Sequence, residues 1–287
     1  MSQLIQLRRK IKSIKTTQKI TYAMRLISMS LYSRHEKTNV PLTHYSEQLA
    51  RTFLSLSHHS PGWNNELLFP KDTLDSTPLI IIVTSSKGLC GGFNSNLLKY
   101  FKQNVFFEEH QTPTFITIGL RAFNFAKQQK LHPILNHYND FNSRNFNAIT
   151  DAIVKLISNK ENFSSITFYS NFFKSFFVQR PKKTLITPVK KDLVELSDYE
   201  MDDEPILEQN QIEIMDFLAI RFLRSKILQI LFQSILSEQA ARFLAMDNAT
   251  TNANKFLEKL TLQYNKARQS LITKELSELS ASFGKFS

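Results

Sequence analysis

Cysteine occurs once in this chain, at Cys90. A lone thiol closes no intramolecular disulfide and builds no Cys-ligated zinc module, so the sequence does not read as a stapled secreted scaffold, and a reducing compartment is its default. An uninterrupted apolar run is also missing. The longest candidate, Phe217 to Leu236, is broken by Arg221, Arg224 and Lys226, which are costly at a bilayer centre, and no secretory apolar core is read after Met1. The chain is expected not to span a membrane by itself. Helix breakers are scarce at both ends: all nine prolines lie between Pro41 and Pro205, and five of the six glycines between Gly62 and Gly119. Residues 1–40 and 206–283 therefore carry neither, and both show apolar residues at helical spacing.

What is present is length, an apolar fraction sufficient for a core, and an uneven charge. The 287 residues are 42% apolar, enough for one large domain or two modest ones. Residues 1–37 hold nine basic side chains against one acidic, Glu36, a net of +8, whereas 38–205 (17 basic, 16 acidic) net +1 and 206–287 (10 basic, 8 acidic) net +2. The basicity belongs to the first arm, which should seek an acidic surface: a nucleic acid, an anionic membrane or an acidic protein loop. An amphipathic, Ser/Thr-containing basic arm also reads as a mitochondrial transit peptide, but a seam running from Leu4 onward argues that it is kept.

In that arm Leu4, Leu7, Ile11 and Ile14 follow coiled-coil steps of three and four. Steps of three then run from Thr17 to Ile20 before Met24, Ile27 and Leu31 resume the pattern, an irregularity of the stammer type. The last arm shows Ala253, Phe256, Leu260, Tyr264, Ala267 and Leu271 in the same rhythm. A helix spanning 206–283 is too long for the interior of a compact domain, so it should pair antiparallel with the other end of the chain. Between the arms, strand-like and helix-like runs alternate: strands at 79–84, 115–118, 165–169 and 184–189, helices at 94–109, 120–130 and 145–158. This is the pattern of an α/β layer domain. Residues 192–204, with seven acidic side chains in thirteen positions, read as an exposed join into the last arm. The resulting boundaries are an N-terminal coiled-coil helix over 1–57, a central α/β domain over 75–205 and a C-terminal coiled-coil helix over 206–287.

Chemical motifs are few. The run Ser85-Ser86-Lys87-Gly88-Leu89-Cys90-Gly91-Gly92, placed between strand and helix, could present amides to a phosphate, but its spacing fits neither phosphate-loop fingerprint and a tight structural turn explains it first. Cys90 has no histidine motif tied to it and reads as a packing residue. His58 and His59 are adjacent rather than four apart on a helix face, and the acidic run lacks the calcium-loop glycine, so neither metal ligation nor a cofactor is expected. Tyr169 to Phe177, aromatic with one lysine, could stack bases but is better explained by packing into a sheet. No catalytic residue is assigned.

Three segments together resemble the gamma subunit of F-type ATP synthases. They are Arg8 to Met24 (RRKIKSIKTTQKITYAM), Thr84 to Asn94 (TSSKGLCGGFN), and the set Ser237 to Arg242 (SEQAAR), Met246 to Thr250 (MDNAT) and Tyr264 to Gln269 (YNKARQ). They occur in family order from about residue 4 to about residue 280. The resemblance implies a long antiparallel coiled coil of the terminal helices plus a central Rossmann-like α/β domain. It implies the central-stalk rotor of a proton-translocating synthase, non-catalytic, whose partners are the alpha and beta subunits of the catalytic ring, the epsilon subunit and the membrane c ring. It also implies a peripheral place on the cytoplasmic side of a bacterial inner membrane. The subunit-contact residues it implies are Lys10, Met24, Glu238, Arg242, Arg268, Gln269 and Thr273. From the residues alone the alternative stays open of a basic coiled-coil structural protein that binds nucleic acid.

Overall fold

A computed structural model describes residues 2–58, 62–70, 76–105, 112–159, 163–189 and 210–283. The acidic run 192–204, His59 and the extreme C-terminus lie outside the described residues. The elements in chain order are α1 (Ser2–His58), β1 (Thr77–Val83), α2 (Phe93–Asn104), β2 (Thr114–Ile118), α3 (Leu120–Gln128), β3 (Ile134–Tyr138), α4 (Phe146–Ser158), β4 (Phe163–Ser175), β5 (Val178–Thr187) and α5 (Gln211–Phe283). The chain divides into two compact units, one made of residues 1–29 with 242–287 and the other of residues 30–241.

The larger unit is built on a five-stranded sheet of order β3-β2-β1-β4-β5. The first four strands are parallel and β5 returns antiparallel to β4. Alternation along β1 explains the layering, because successive side chains of a strand point to opposite faces. Leu79, Ile81 and Val83 enter a core with Ile149, Ile153 and Ile157 of α4, Phe53 and Leu56 of α1, and Met215, Phe222, Ile227 and Leu231 of α5. Ile80 and Ile82 point the other way, to Leu97 and Phe101 of α2 and Ala122 and Phe125 of α3. A strand apolar on both faces, as the run at 79–84 is, belongs in the centre of such a sandwich.

Two local features depart from the sequence expectation. The short strand β3 was missed because it is an edge whose interior, Leu135 to His137, is exposed, leaving no apolar run to detect. The strands expected at 165–169 and 184–189 are the inner halves of a longer hairpin, β4 and β5, in which Phe173 and Phe176 pack on Tyr32 of α1 at ring separations of 6.0 and 4.8 Å. The first helix, α1, runs without a break through Pro41 to His58. A proline inside a helix loses one backbone bond and costs about 3 kcal/mol. Packing offsets that: Phe53 stacks on Phe222 at 5.1 Å, and the Ser46 hydroxyl donates to Gln229 Oε1 at 3.2 Å. α5 starts at Gln211, where Asn210 Oδ1 accepts the Ile212 N–H at 3.1 Å in the manner of an N-cap.

In the smaller unit the two terminal segments pair antiparallel. Gln18 Nε2 donates to Asn254 Oδ1 at 2.9 Å, the Thr250 hydroxyl to Thr21 Oγ1 at 2.9 Å, and Arg25 Nη1 to Asp247 Oδ1 at 2.6 Å. As one partner number rises the other falls, and their sum stays near 272. Within this unit the less exposed positions of α1 include Leu4, Leu7, Ile11, Ile14, Gln18, Thr21, Arg25 and Ser28, an unbroken succession of threes and fours, with Met24 beside them. This corrects the stammer expected at Thr17 to Ile20: Ile20 and Ile27 are exposed, and the heptad passes through polar residues instead. On α5 the seam is Met246, Thr250, Ala253, Leu257, Leu260, Tyr264, Ala267 and Leu271, so Leu257 takes the place expected for Phe256, which is exposed.

Candidate functional site

The turn between β1 and α2 is held by its own side chains. Ser85 N–H donates to Asn94 Oδ1 at 3.0 Å, Asn94 Nδ2 donates to Ser85 Oγ at 2.7 Å and approaches Cys90 Sγ at 3.3 Å, and the Ser85 hydroxyl donates to the Lys87 carbonyl at 2.6 Å. Cys90 is buried among these groups. Across the turn Gly119 adopts φ 87°, and a Cβ there would stand 2.3 Å from the Thr84 carbonyl oxygen, so only glycine lets β2 pass that close. Gly88, Leu89, Cys90 and Gly91 line one side of an open cavity of about 420 Å³ whose other wall carries Arg121, Asn124 and Gln128.

A doubly wound sheet opens its ligand crevice where the strand order reverses, here between β1 and β4 at their C-terminal ends. That position is filled. β4 pairs with β1 only as far as Tyr169 opposite Ile82, then continues to Ser175 against β5 alone. Asn171, 2% exposed, donates from Nδ2 to the Phe93 carbonyl at the start of α2 at 3.1 Å. Among the described residues no group of three or more His, Cys, Asp or Glu side chains could hold a metal ion.

The residues singled out from sequence fall into three environments. Lys10, Arg268, Gln269 and Thr273 are exposed on the helices of the smaller unit. Gln269 and Thr273 share a face one turn apart, with the Thr273 hydroxyl donating to the Gln269 carbonyl at 3.0 Å. Met24 is half-buried beside the seam, and its carbonyl accepts from the Ser28 hydroxyl at 2.8 Å. Arg242 of the smaller unit and Glu238 of the larger one are each only 7% exposed, so neither lies on an open solvated face of the chain. The six polar residues Gln18, Thr21, Arg25, Asp247, Thr250 and Asn254 were missed as a group. A search for apolar repeats passes over them; a test for complementary polar pairs whose numbers sum to a constant would have found them.

Away from its seam the smaller unit exposes much apolar surface. Ile20 and Ile27 on α1, and Phe256, Leu262, Ile272, Leu276 and Leu279 on α5, are all about half exposed or more. No helix among the described residues is long and apolar enough to cross a membrane.

Comparison with known proteins accounts for the whole chain at once. Residues 3–284 match the family described as ATP synthase. The ATP synthase gamma chain of Pelagibacter ubique is 33% identical over 288 residues, covering 97% of this chain and 98% of the relative, and that of Geotalea daltonii is 32% identical with 97% of each covered. Among solved structures, a chain of the Euglena gracilis mitochondrial ATP synthase (OSCP/F1/c-ring, rotational state 3) superposes with a TM-score of 0.66 over 99% of this chain and 95% of its own length. A chain of the Tetrahymena thermophila mitochondrial ATP synthase central stalk and c-ring gives 0.57 over 80% and 99%. At 16% and 18% identity these two share the fold. The sequence relatives reach further, because the match runs end to end in both partners and takes in the terminal helices as well as the sheet: the chain belongs to the ATP synthase gamma-chain family.

Proposed function

We infer that the chain is the central-stalk rotor subunit of a proton-translocating F-type ATP synthase, coupling proton-driven rotation to conformational change at the catalytic beta subunits. The observation that carries this reading beyond family membership is the smaller unit: two terminal helices paired antiparallel along a narrow seam, with large apolar side chains left bare on their outer faces. A monomer rarely leaves that much apolar surface uncovered. A surrounding ring of alpha and beta subunits would cover it, and Lys10, Met24, Arg268, Gln269 and Thr273 would meet that ring. Glu238 and Arg242 would act from within the chain's own packing, where their burial supports a part in holding the shaft's shape.

The shaft is non-catalytic in this reading. It shifts a beta subunit between conformations only by contacting one of them more favourably than another, and an asymmetric shaft offers three equivalent neighbours three different faces. The epsilon subunit and the membrane c ring are its partners on the α/β side, and the complex sits peripherally on the cytoplasmic side of a bacterial plasma membrane. Purification of the tagged chain in mild detergent tests the assignment: alpha, beta, epsilon and c subunits should come with it, and recovery with nucleic acid but none of these would overturn it. The purified chain alone should hydrolyse no ATP.

A further inference from the structure

We propose that Gln18, Thr21, Arg25, Asp247, Thr250 and Asn254 form a register lock, three successive polar layers that fix which residues of the two terminal helices stand level with one another. An apolar seam specifies this poorly. With partner numbers summing near 272, Ile11 stands level with Leu260; after a slip of one heptad it would meet Ala267 or Ala253, still apolar. The polar layers do not tolerate the same slip. Moved either way, the Arg25–Asp247 ion pair is broken and Thr21 faces an apolar residue, Leu257 in one direction and Phe243 in the other.

The local geometry supports this. Thr21 and Thr250 are 8% and 5% exposed, so with leucine opposite, the buried bond between the two hydroxyls is lost and each keeps only a bond within its own helix, Thr250 to the Met246 carbonyl at 2.7 Å. Thr21 in turn donates to the Gln18 carbonyl at 3.0 Å, linking one layer to the next. Arg25 and Asp247 are partly open to solvent, 28% and 42% exposed, and such pairs add little stability. Their value lies in selecting one alignment, a use of polar groups in helix seams that is well supported. A slip of one heptad displaces the helices by about 10 Å along their axis. It would place every outward residue of α5 against the wrong level of α1. The six residues are therefore positioning residues.

The functional part of this inference rests on the rotor reading; the alignment itself does not. The test uses the full chain carrying Cys90→Ser, with spin labels at exposed Ser13 and Ser270. Pulsed electron–electron resonance on the parent should give one distance. A seam made apolar (Gln18→Leu, Thr21→Val, Arg25→Met, Asp247→Leu, Thr250→Val, Asn254→Leu) should stay helical and split into two or more distances about 10 Å apart along the axis. A single parental distance in that variant would overturn the lock. Should that variant not fold, Arg25→Asp alone should broaden the distribution and the exchanged pair Arg25→Asp/Asp247→Arg should restore it; failure of the exchange to restore the parental distance would equally overturn it. In the assembled complex, the apolar-seam variant should pump fewer protons per ATP hydrolysed at unchanged subunit composition. A split distance with normal pumping leaves the lock standing and counts against the rotor reading, so the two fail separately.

Discussion

The same two helices build two different kinds of interior. Within residues 30–241, α1 and α5 bury Phe53, Leu56, Met215, Ala219, Phe222 and Leu231 against a sheet. Within residues 1–29 and 242–287 they share a seam one or two residues wide, half-exposed along much of its length and polar for three layers. The larger unit thus has a core of its own. The smaller has alignment but little burial, and its outer apolar residues await a partner.

The comparison breaks most readily at its apolar anchors. Phe53→Ala removes a ring that is 2% exposed and contacts Phe222 and Trp63, so it should cost about 3–5 kcal/mol. Leu260→Ala removes a half-buried seam residue and should cost roughly half as much. Urea unfolding of the two variants measures the difference; equal losses would mean that the smaller unit has a core comparable to the larger one's.

Acid should tell the units apart as well. Burial against Phe232 lowers the pKa of His35, and the nearby Arg34 charge lowers it further. The native state therefore favours neutral imidazole more than the unfolded chain does. This contribution is complete above the unfolded value of about 6.5 and is lost as pH falls from there through the lower folded value. The larger unit should lose stability in that window, and His35→Gln should flatten the loss. An unchanged pH profile in His35→Gln would assign the acid sensitivity elsewhere.

A smaller effect sharpens the contrast between paired and unpaired polar groups. In the smaller unit the seam hydroxyls of Thr21 and Thr250 bond each other; in the larger, the buried hydroxyls of Ser225, Ser234 and Ser237 have no hydrogen-bond partner among the described residues. Ser234→Ala should therefore be neutral or stabilise by up to about 1 kcal/mol, whereas Thr250→Val should cost about that much by removing the hydroxyl that bonds Thr21 and the Met246 carbonyl. Thermal melts of both variants check the opposite signs.

These contrasts explain what the sequence revealed. The central strand β1 was legible because Leu79 to Val83 is apolar on both faces, and the long terminal helices because glycine and proline are missing from them. The edge strand β3 was not, since Ile134 to Tyr138 buries too little to leave a pattern. The seam was half legible: on α1 its first half is leucine and isoleucine, but its second half is Gln18, Thr21, Arg25 and Ser28, and a search for apolar spacing was drawn to the exposed Ile20 and Ile27 instead. The proposed contact surface came from family motifs alone. Nothing in the spacing of Glu238 and Arg242 announced that they would be buried, because their burial depends on which faces the two helices bring together.

The finest division falls within one helix turn of the smaller unit. Among the described residues Leu271 is the last half-buried seam position of α5, and Arg268, three residues earlier, is exposed. Leu271→Asp sets a carboxylate at the end of the seam, where it must stay hydrated or part the helix ends, so assembly should weaken. Arg268→Ala removes an outward charge and replaces it with the strongest helix former, so the chain's own stability should change by no more than about 0.5 kcal/mol. If Arg268 meets the ring, that variant assembles with normal stoichiometry but loses part of its ATP-driven proton pumping. Subunit stoichiometry and pumping in reconstituted vesicles decide the matter. Full pumping with Arg268→Ala would remove Arg268 from the contact surface, and failed assembly would mean that it supports the fold; either outcome would erase the distinction between seam and outer face at this end of the helix.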